Sequence, residues 1–262
     1  MAKILHLDIE TAPIQAYTWT LFKPMLSHDN IVQDWYMLCY AAKWHGEESV
    51  YYDALWLNKD EYKVDKTDDY PLLASLHQLL DEADVVVAHN AQRFDVAKVN
   101  AKFYEHGFNP PSPYKIVDTL LTIRKKFRLT SNRLDYVSKL KAFGQKLDTD
   151  FQLWIDVMAG NKKQCARMLE YNIQDVILLE DVYTSLLPWI TNHPNVNLFD
   201  DALDELRCPR CGSIHVRKHS TRQTITAGAY TRYQCMDCGT WGRGRSNLLE
   251  ADRRKNIISN IV

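Results

Sequence analysis

The 262-residue sequence contains no long hydrophobic run, no internal repeat and almost no net charge. No segment approaches the roughly 18 apolar residues that a membrane-spanning helix needs. Asp8 and Glu10 interrupt the apolar stretch of the N-terminal segment MAKILHLDIET, which is not the pattern of a signal peptide. We therefore expect a cytoplasmic protein. The apolar fraction of 46% is typical of a globular protein and excludes a disordered or fibrous chain.

The net charge of −1 conceals two segments of opposite charge. From Arg207 onward the sequence has 11 basic and three acidic residues, so this segment carries +8 and residues 1–206 carry −9. A basic segment attached to an acidic body indicates a polyanionic partner for one part of the chain.

Four of the six cysteines form two CxxC pairs, Cys208 with Cys211 and Cys235 with Cys238, and 23 residues separate the pairs. In a reducing compartment this spacing favours a metal site over disulfides. The polar and β-forming residues between the pairs predict a β-hairpin. The whole pattern resembles a zinc ribbon, in which four thiolates form a closed, structural zinc site.

Hydrophobic periodicity predicts an α/β fold in the acidic part of the chain. Strands are predicted at 3–9, 36–44, 50–53, 84–90 and 115–118. Helices are predicted to begin at Pro71 and to cover 94–105, 119–127, 134–143 and 162–187. Residues 56–70 are expected to form a surface loop. Three strands followed by alternating helices and strands favour a mixed sheet flanked by helices.

Four carboxylates lie where these elements could bring them into one cavity. Asp8 and Glu10 project from the same face of the first strand, because they are two residues apart. Asp95 follows the valine-rich strand, and Asp175 shares a helical face with Tyr171, four residues earlier. Like charges this close raise one another's pKa, and divalent cations remove that conflict. Oxygen ligands favour Mg²⁺ or Mn²⁺, and a pair of such ions is typical of phosphodiester hydrolysis.

The segments LDIET, HNAQRFD and YNIQD, in this order, resemble the three motifs of DnaQ-like (DEDD) 3′–5′ exonucleases. The resemblance covers about residues 1–187. Tyr171 is similar to the tyrosine of the DEDDy branch, whereas the other branch has a histidine where this chain has Glu170. The segments LDIET and HNAQRFD most resemble those of the proofreading domains of family B DNA polymerases. With no polymerase segment after it, the chain resembles the stand-alone exonucleases of some phages and bacteria, and the resemblance implies a ribonuclease H-like fold.

This resemblance also implies a role for each motif residue. Asp8 would bridge two Mg²⁺ or Mn²⁺ ions, Glu10 and Asp175 would complete the site that holds the attacking water, and Asp95 would act through the second ion. The hydroxyl of Tyr171 would orient the water. Relatives contact the terminal nucleotide at the positions of Thr11, Asn90 and Phe94. His6 and His89 adjoin the motifs and are predicted to be structural.

The sequence thus predicts four segments: an exonuclease domain (1–190), a linker (191–206), a four-cysteine zinc ribbon (207–245) and a basic C-terminal tail (246–262). The expected activity is metal-dependent 3′–5′ hydrolysis of single-stranded DNA to nucleoside monophosphates. Two alternatives stay open: an exoribonuclease of the same fold, since no motif reads the 2′-hydroxyl, and an inactive nucleic-acid-binding adapter.

Two basic segments also allow more than one interpretation. In the zinc ribbon, basic residues alternate with aromatic ones: Arg217, Lys218, Arg222, Tyr230, Arg232, Tyr233 and Trp241. This pattern suits a nucleic-acid strand, a replication or repair protein, or simply the solvated surface of a small domain. Residues 124–128, with Arg133 nearby, either guide the strand toward the metals or form an exposed helix end.

Overall fold

The computed structural model describes residues 2–144, 147–200, 204–225 and 227–258. The chain divides into two compact units. The first unit is Lys3–Val182, and the second contains the described residues from Tyr183 onward. Within the described ranges, no helix combines the length and the apolar character that crossing a membrane would require.

The first unit is built on a five-stranded mixed sheet. Its strands, numbered along the chain, are β1 (Ile4–Thr11), β4 (Met37–Trp44), β5 (Val50–Ala54), β6 (Val85–Ala88) and β7 (Lys115–Asp118). Their order in the sheet is β5-β4-β1-β6-β7. Strand β4 is antiparallel to β1 and β5, whereas β6 is parallel to β1 and β7. The predicted strands and the mixed sheet are therefore confirmed. Between β1 and β4 in the sequence, β2 (Gln15–Ala16) and β3 (Ile31–Gln33) form a separate two-stranded antiparallel sheet.

Seven of the described α-helices precede, separate or follow these strands along the chain. They are α1 (Lys59–Val64), α2 (Tyr70–Glu82), α3 (Asp95–Glu105), α4 (Thr119–Lys126), α5 (Leu134–Leu140), α6 (Phe151–Met158) and α7 (Lys162–Leu186). The expectation of a surface loop at 56–70 was wrong, since α1 lies within it. The sequence KDEYKV hides this helix because none of its residues is buried, so it shows no apolar period. Helix α6 was not predicted.

The two faces of β1 have different environments. Three apolar side chains on one face are at most 2% exposed, Leu5, Leu7 and Ile9, and belong to the main hydrophobic core. Burying each such side chain contributes roughly 1.5–3 kcal/mol. The alternate residues Asp8 and Glu10 project from the opposite face, which α7 approaches through Asn172. A strand with one apolar and one acidic face thus directs its carboxylates toward α7.

The parallel strands β1, β6 and β7 end at the same edge of the sheet, as ligand-binding α/β sheets commonly do. Asp118 ends β7 and caps α4, because its Oδ1 accepts a hydrogen bond of 3.0 Å from the N–H of Leu121. The same carboxylate accepts the N–H of Asn90, which follows β6, at 3.2 Å. Asp118 therefore ties the ends of two neighbouring strands together.

The second unit contains an antiparallel sheet of β8 (Val216–Ile225), β9 (Gly228–Cys235) and β10 (Trp241–Asn247), in the order β10-β9-β8. The predicted β-hairpin between the CxxC pairs is confirmed as β8 and β9. A short helix, α8, covers Ala251–Lys255. Before the sheet, a 3-10 helix at Val196–Phe199 packs on the first CxxC pair, where the side-chain amide of Asn197 donates to the carbonyl of Cys208 at 3.1 Å.

Candidate active site

Three of the four predicted carboxylates converge in the structure. One carboxylate oxygen from each of Asp8, Glu10 and Asp175 lies within 4.8 Å of the other two. We call these residues the acidic trio. Asp8 and Glu10 come from the same face of β1, and Asp175 comes from α7, where it is 1% exposed. Carboxylates held this close require a cation or a proton between them, and their oxygen atoms suit Mg²⁺ or Mn²⁺.

Asn172 holds the trio together from α7, and sequence reasoning did not single it out. Its side-chain amide donates to Oδ2 of Asp8 at 2.6 Å and contacts the backbone carbonyl of Asp8 at 3.2 Å. The side chain is fully buried. The available signal was its position three residues before Asp175, which puts both on one helical face. Asn172 thus fixes the distance between β1 and α7.

A cleft of about 660 Å³ opens over the trio. Its lining includes Asp8, Asp175 and Tyr171. Tyr171 lies one helical turn before Asp175, is 7% exposed, and makes an edge-to-face contact with Trp154 at 6.3 Å between ring centroids. The structure therefore brings Tyr171 and two of the predicted metal ligands to the same cleft.

Asp95 is close to this region but does not join the trio. It begins α3 and is 2% exposed, and its Oδ1 accepts the backbone N–H of Ile9 at 3.3 Å. Ile9 lies between Asp8 and Glu10, so Asp95 is attached to the same part of β1. Burial raises the pKa of Asp95 from 3.8 to about 7, and the charge of Asp118 adds to this effect. With this pKa the carboxyl group is only about half ionised at neutral pH, and a nearby cation would favour its ionised form.

The three predicted nucleotide contacts have different positions. Asn90 lines the cleft, and its backbone has a positive φ of 87°, a conformation that asparagine tolerates better than most residues. Thr11 and Phe94, which the structure also describes, do not line the cleft. Thr11 lies at a β-bulge where β1 ends, and Phe94 is half-buried immediately before Asp95.

Two arginines line the same cleft, Arg124 from α4 and Arg133 from the start of α5. His89 supports this wall, since its ring nitrogens contact Thr119 Oγ1 and the carbonyl of Asn132, each at 2.9 Å. Guanidinium groups bind phosphate oxygens well. Of the two interpretations of the basic run, the position of Arg124 and Arg133 favours contact with a strand in the cleft.

A comparison with known families agrees with this architecture. A family model described as the RNase_H superfamily matches residues 50–187, more than half of the chain. The chain belongs to the RNase_H superfamily. This membership confirms the expected ribonuclease H-like fold. The matched residues include Asp95, Tyr171 and Asp175, whereas β1 precedes them.

The RNase_H-superfamily fold also has a match among solved structures. The chain is similar to the family B DNA polymerase from the hyperthermophilic archaeon Pyrobaculum calidifontis, with a TM-score of 0.51 and 15% sequence identity. The similarity covers 72% of this chain and 25% of the polymerase chain, so this chain spans about a quarter of that protein. At this level of identity the similarity shows the fold alone. None of the curated proteins compared with the chain matches it.

The cysteine cluster lies outside the residues that match the RNase_H superfamily. Four Sγ atoms lie within 4.8 Å of one another, those of Cys208, Cys211, Cys235 and Cys238. Two of the Sγ–Sγ distances are 3.6 Å. A tetrahedral zinc ion with bonds of about 2.3 Å to sulfur separates its ligand atoms by about 3.8 Å. The glycine after each CxxC pair has a positive φ, 73° and 76°, which allows the tight turn. The cluster therefore fits a structural zinc ion.

Two arginines of the second unit stack on aromatic rings, and a separate group of basic residues lies on β8. Arg232 stacks on Trp241 at 4.4 Å and Arg243 stacks on Tyr230 at 4.0 Å, both measured to the ring centroid. These contacts are internal to the ribbon. The other group is exposed to solvent on β8 and consists of Arg217, Lys218 and Arg222. These three side chains of β8 are available to contact a partner without rearrangement.

Proposed function

We propose that this RNase_H-superfamily chain is a Mg²⁺- or Mn²⁺-dependent 3′–5′ exonuclease that hydrolyses single-stranded DNA to nucleoside monophosphates. One observation carries the proposal: two members of the acidic trio, Asp8 and Asp175, line one cleft together with two arginines, Arg124 and Arg133. Carboxylates that hold cations, combined with guanidinium groups, complement the charge of a phosphodiester.

In this proposal, different residues of the site bind the metal ions and orient the attacking water. Two divalent ions held by the trio and Asp95 would activate a water molecule and stabilise the leaving 3′ oxygen. In this proposal Asp8 would bridge both ions, and one of its carboxylate oxygens lies within 4.8 Å of those of Glu10 and Asp175. The hydroxyl of Tyr171 can both donate and accept a hydrogen bond, so it can orient the attacking water.

The 3′–5′ polarity and the DNA substrate are proposed from the motifs LDIET, HNAQRFD and YNIQD, which resemble the DEDDy exonucleases. In this proposal Asn90, Phe94 and Thr11 contact the terminal nucleotide. The similarity to a family B DNA polymerase supports a substrate of the DNA type. Exposed Arg217, Lys218 and Arg222 would hold the strand on the zinc ribbon, or dock a replication or repair protein.

The experiment uses a 5′-labelled single strand, incubated with the protein and Mg²⁺. We expect a ladder of products that shorten from the 3′ end. Asp8→Asn should remove this activity, whereas Glu61→Gln, at an exposed carboxylate of α1, should leave it intact. Binding without shortening would support the adapter instead. RNA of the same sequence forms the second arm, and faster shortening of RNA would make the protein an exoribonuclease.

A further inference from the structure

A second group of potential metal ligands lies in the first unit, outside the acidic trio. His6 Nε2 is 3.3 Å from His45 Nδ1, and His45 Nδ1 is 3.1 Å from Oε1 of Glu180. One ligand atom from each residue lies within 4.8 Å of the other two. We call His6, His45 and Glu180 the His–His–Glu cluster. It joins β1, the residue after β4 and α7.

Three potential ligand atoms meet at His45 Nδ1. His45 Nδ1 faces both an imidazole nitrogen and a carboxylate oxygen. If Nδ1 carries a proton, Glu180 and His6 Nε2 must share it in a bifurcated hydrogen bond, which is weaker toward each acceptor. If Nδ1 carries a lone pair and accepts from His6, that lone pair faces the negative oxygen of Glu180. A cation between the three atoms turns every contact into an attraction.

The distances also fit a zinc ion. Zinc bonds of about 2.0–2.1 Å to nitrogen and oxygen, in tetrahedral geometry, separate ligand atoms by about 3.3 Å. The two measured separations, 3.3 and 3.1 Å, are close to that value. Two histidines and one carboxylate are a common zinc ligand set, with a fourth position open to water. We propose that His6, His45 and Glu180 bind one Zn²⁺ ion.

The surroundings of Glu180 orient the carboxylate for this role. The N–H of Gly46 donates to Oε1 at 2.7 Å, and Lys43 contacts Oε2. Such outer contacts fix a ligating carboxylate in place. Because Lys43 already neutralises one negative charge, this site should bind zinc less tightly than the four cysteines. His6 is fully buried, whereas the side chain of His45 is 32% exposed, so an ion can enter beside His45.

The position of the site gives the ion a consequence for the acidic trio. His6 precedes Asp8 by two residues on β1, and Glu180 follows Asp175 by five residues on α7. An ion bound to both would cross-link the strand and the helix that supply the trio. The inference concerns this chain's zinc content and does not depend on the proposed nuclease activity.

The test measures zinc per chain in the full-length protein, purified with excess zinc and then dialysed. His45→Ala should lower the content by one ion relative to the wild type. His28→Ala, at an exposed histidine outside the cluster, should not. Because zinc also competes for the acidic trio, the difference between variants decides the question, and circular dichroism checks that both variants are folded.

Cobalt substitution provides the second readout. Cobalt bound to the four cysteines gives strong sulfur-to-metal charge-transfer bands, whereas cobalt bound to nitrogen and oxygen gives only weaker visible bands. We expect His45→Ala and Glu180→Gln each to lose weak bands and to keep the charge-transfer bands. Equal zinc content and identical cobalt spectra in the wild type and His45→Ala would overturn the proposal and leave a hydrogen-bonded cluster only.

Discussion

The side-chain amide of Asn172 donates a hydrogen bond of 2.6 Å to Oδ2 of Asp8. An amide donor at this distance orients the carboxylate. Groups that orient metal ligands in this way commonly change metal affinity or activity by about 10-fold to 100-fold when they are replaced. Asn172 is therefore a positioning residue for the proposed metal site.

Replacing Asn172 with aspartate keeps the size of the side chain, and exchanges the donor for a carboxylate that adds negative charge beside Asp8. We expect Asn172→Asp to lower activity by roughly 10-fold to 100-fold and to change the Mn²⁺ concentration that gives half-maximal activity. Steady-state rates across a Mn²⁺ titration measure both effects. Asn172→Ser, which keeps a donor, serves as the comparison. If Asn172→Asp behaves like the wild type, the hydrogen bond has no role in the site.

Tyr171→Phe removes only the hydroxyl and leaves the edge-to-face contact with Trp154. Because the hydroxyl is proposed to orient the attacking water, we expect kcat to fall roughly 10-fold to 100-fold. KM should hardly change, since the group is not proposed to bind the strand. Single-strand hydrolysis rates over a range of substrate concentrations separate the two parameters. A variant with raised KM and normal kcat would instead place the hydroxyl against the substrate.

Arg133→Gln should weaken the binding of single-stranded DNA and flatten its dependence on salt. Each lost phosphate contact reduces the slope of log K against log salt by about 0.7. Binding is measured by fluorescence anisotropy in the Asp8→Asn background, so that the strand is not degraded. Lys115→Gln is the control, because Lys115 is exposed at the amino end of β7, away from the edge that carries the site. Equal slopes in the two variants would exclude Arg133 from phosphate binding.

The raised pKa of Asp95 predicts how the free energy of unfolding depends on pH in protein freed of Mg²⁺ and Mn²⁺. Burial raises its pKa from 3.8 to about 7, so the folded protein keeps a proton that the unfolded chain has already lost. Stability should therefore fall as the pH rises between those two values, by at most about 4 kcal/mol. Asp95→Asn cannot ionise, so its stability should fall less.

Urea unfolding at about pH 5 and about pH 8 measures this difference between the wild type and Asp95→Asn. Adding Mg²⁺ should restore stability to the wild type at the higher pH, and should restore less to the variant, because a bound cation favours the ionised carboxylate. If the two proteins lose stability in parallel, the carboxyl group of Asp95 is not the cause.

Most strands and helices of the first unit could be predicted from the sequence, because their hydrophobic patterns are regular. Alternation marked β1, and the valine run marked β6. Helix α6 was missed although Asp150 caps it and Leu153 and Val157 are buried one turn apart, a signal too short to stand out. For the site, spacing placed Asp8 with Glu10 and Tyr171 with Asp175.

Contacts between residues far apart in sequence could not be predicted in this way. The bond from Asn172 to Asp8 spans 164 residues, and His45 meets His6 across 39. His6 was expected to be structural, and nothing next to it in the sequence indicates that His45 and Glu180 lie beside it. A single sequence shows which side chains share a face, and only the folded arrangement shows which faces meet.

The most direct test of the central claim labels the 3′-terminal nucleotide of a single DNA strand and identifies the first labelled product in the presence of Mg²⁺. We expect the label to appear at once as a nucleoside 5′-monophosphate, and Asp175→Asn to abolish its release. Release of the label within a longer oligonucleotide, or its retention while the strand shortens from the other end, would contradict 3′–5′ exonuclease action at the acidic trio.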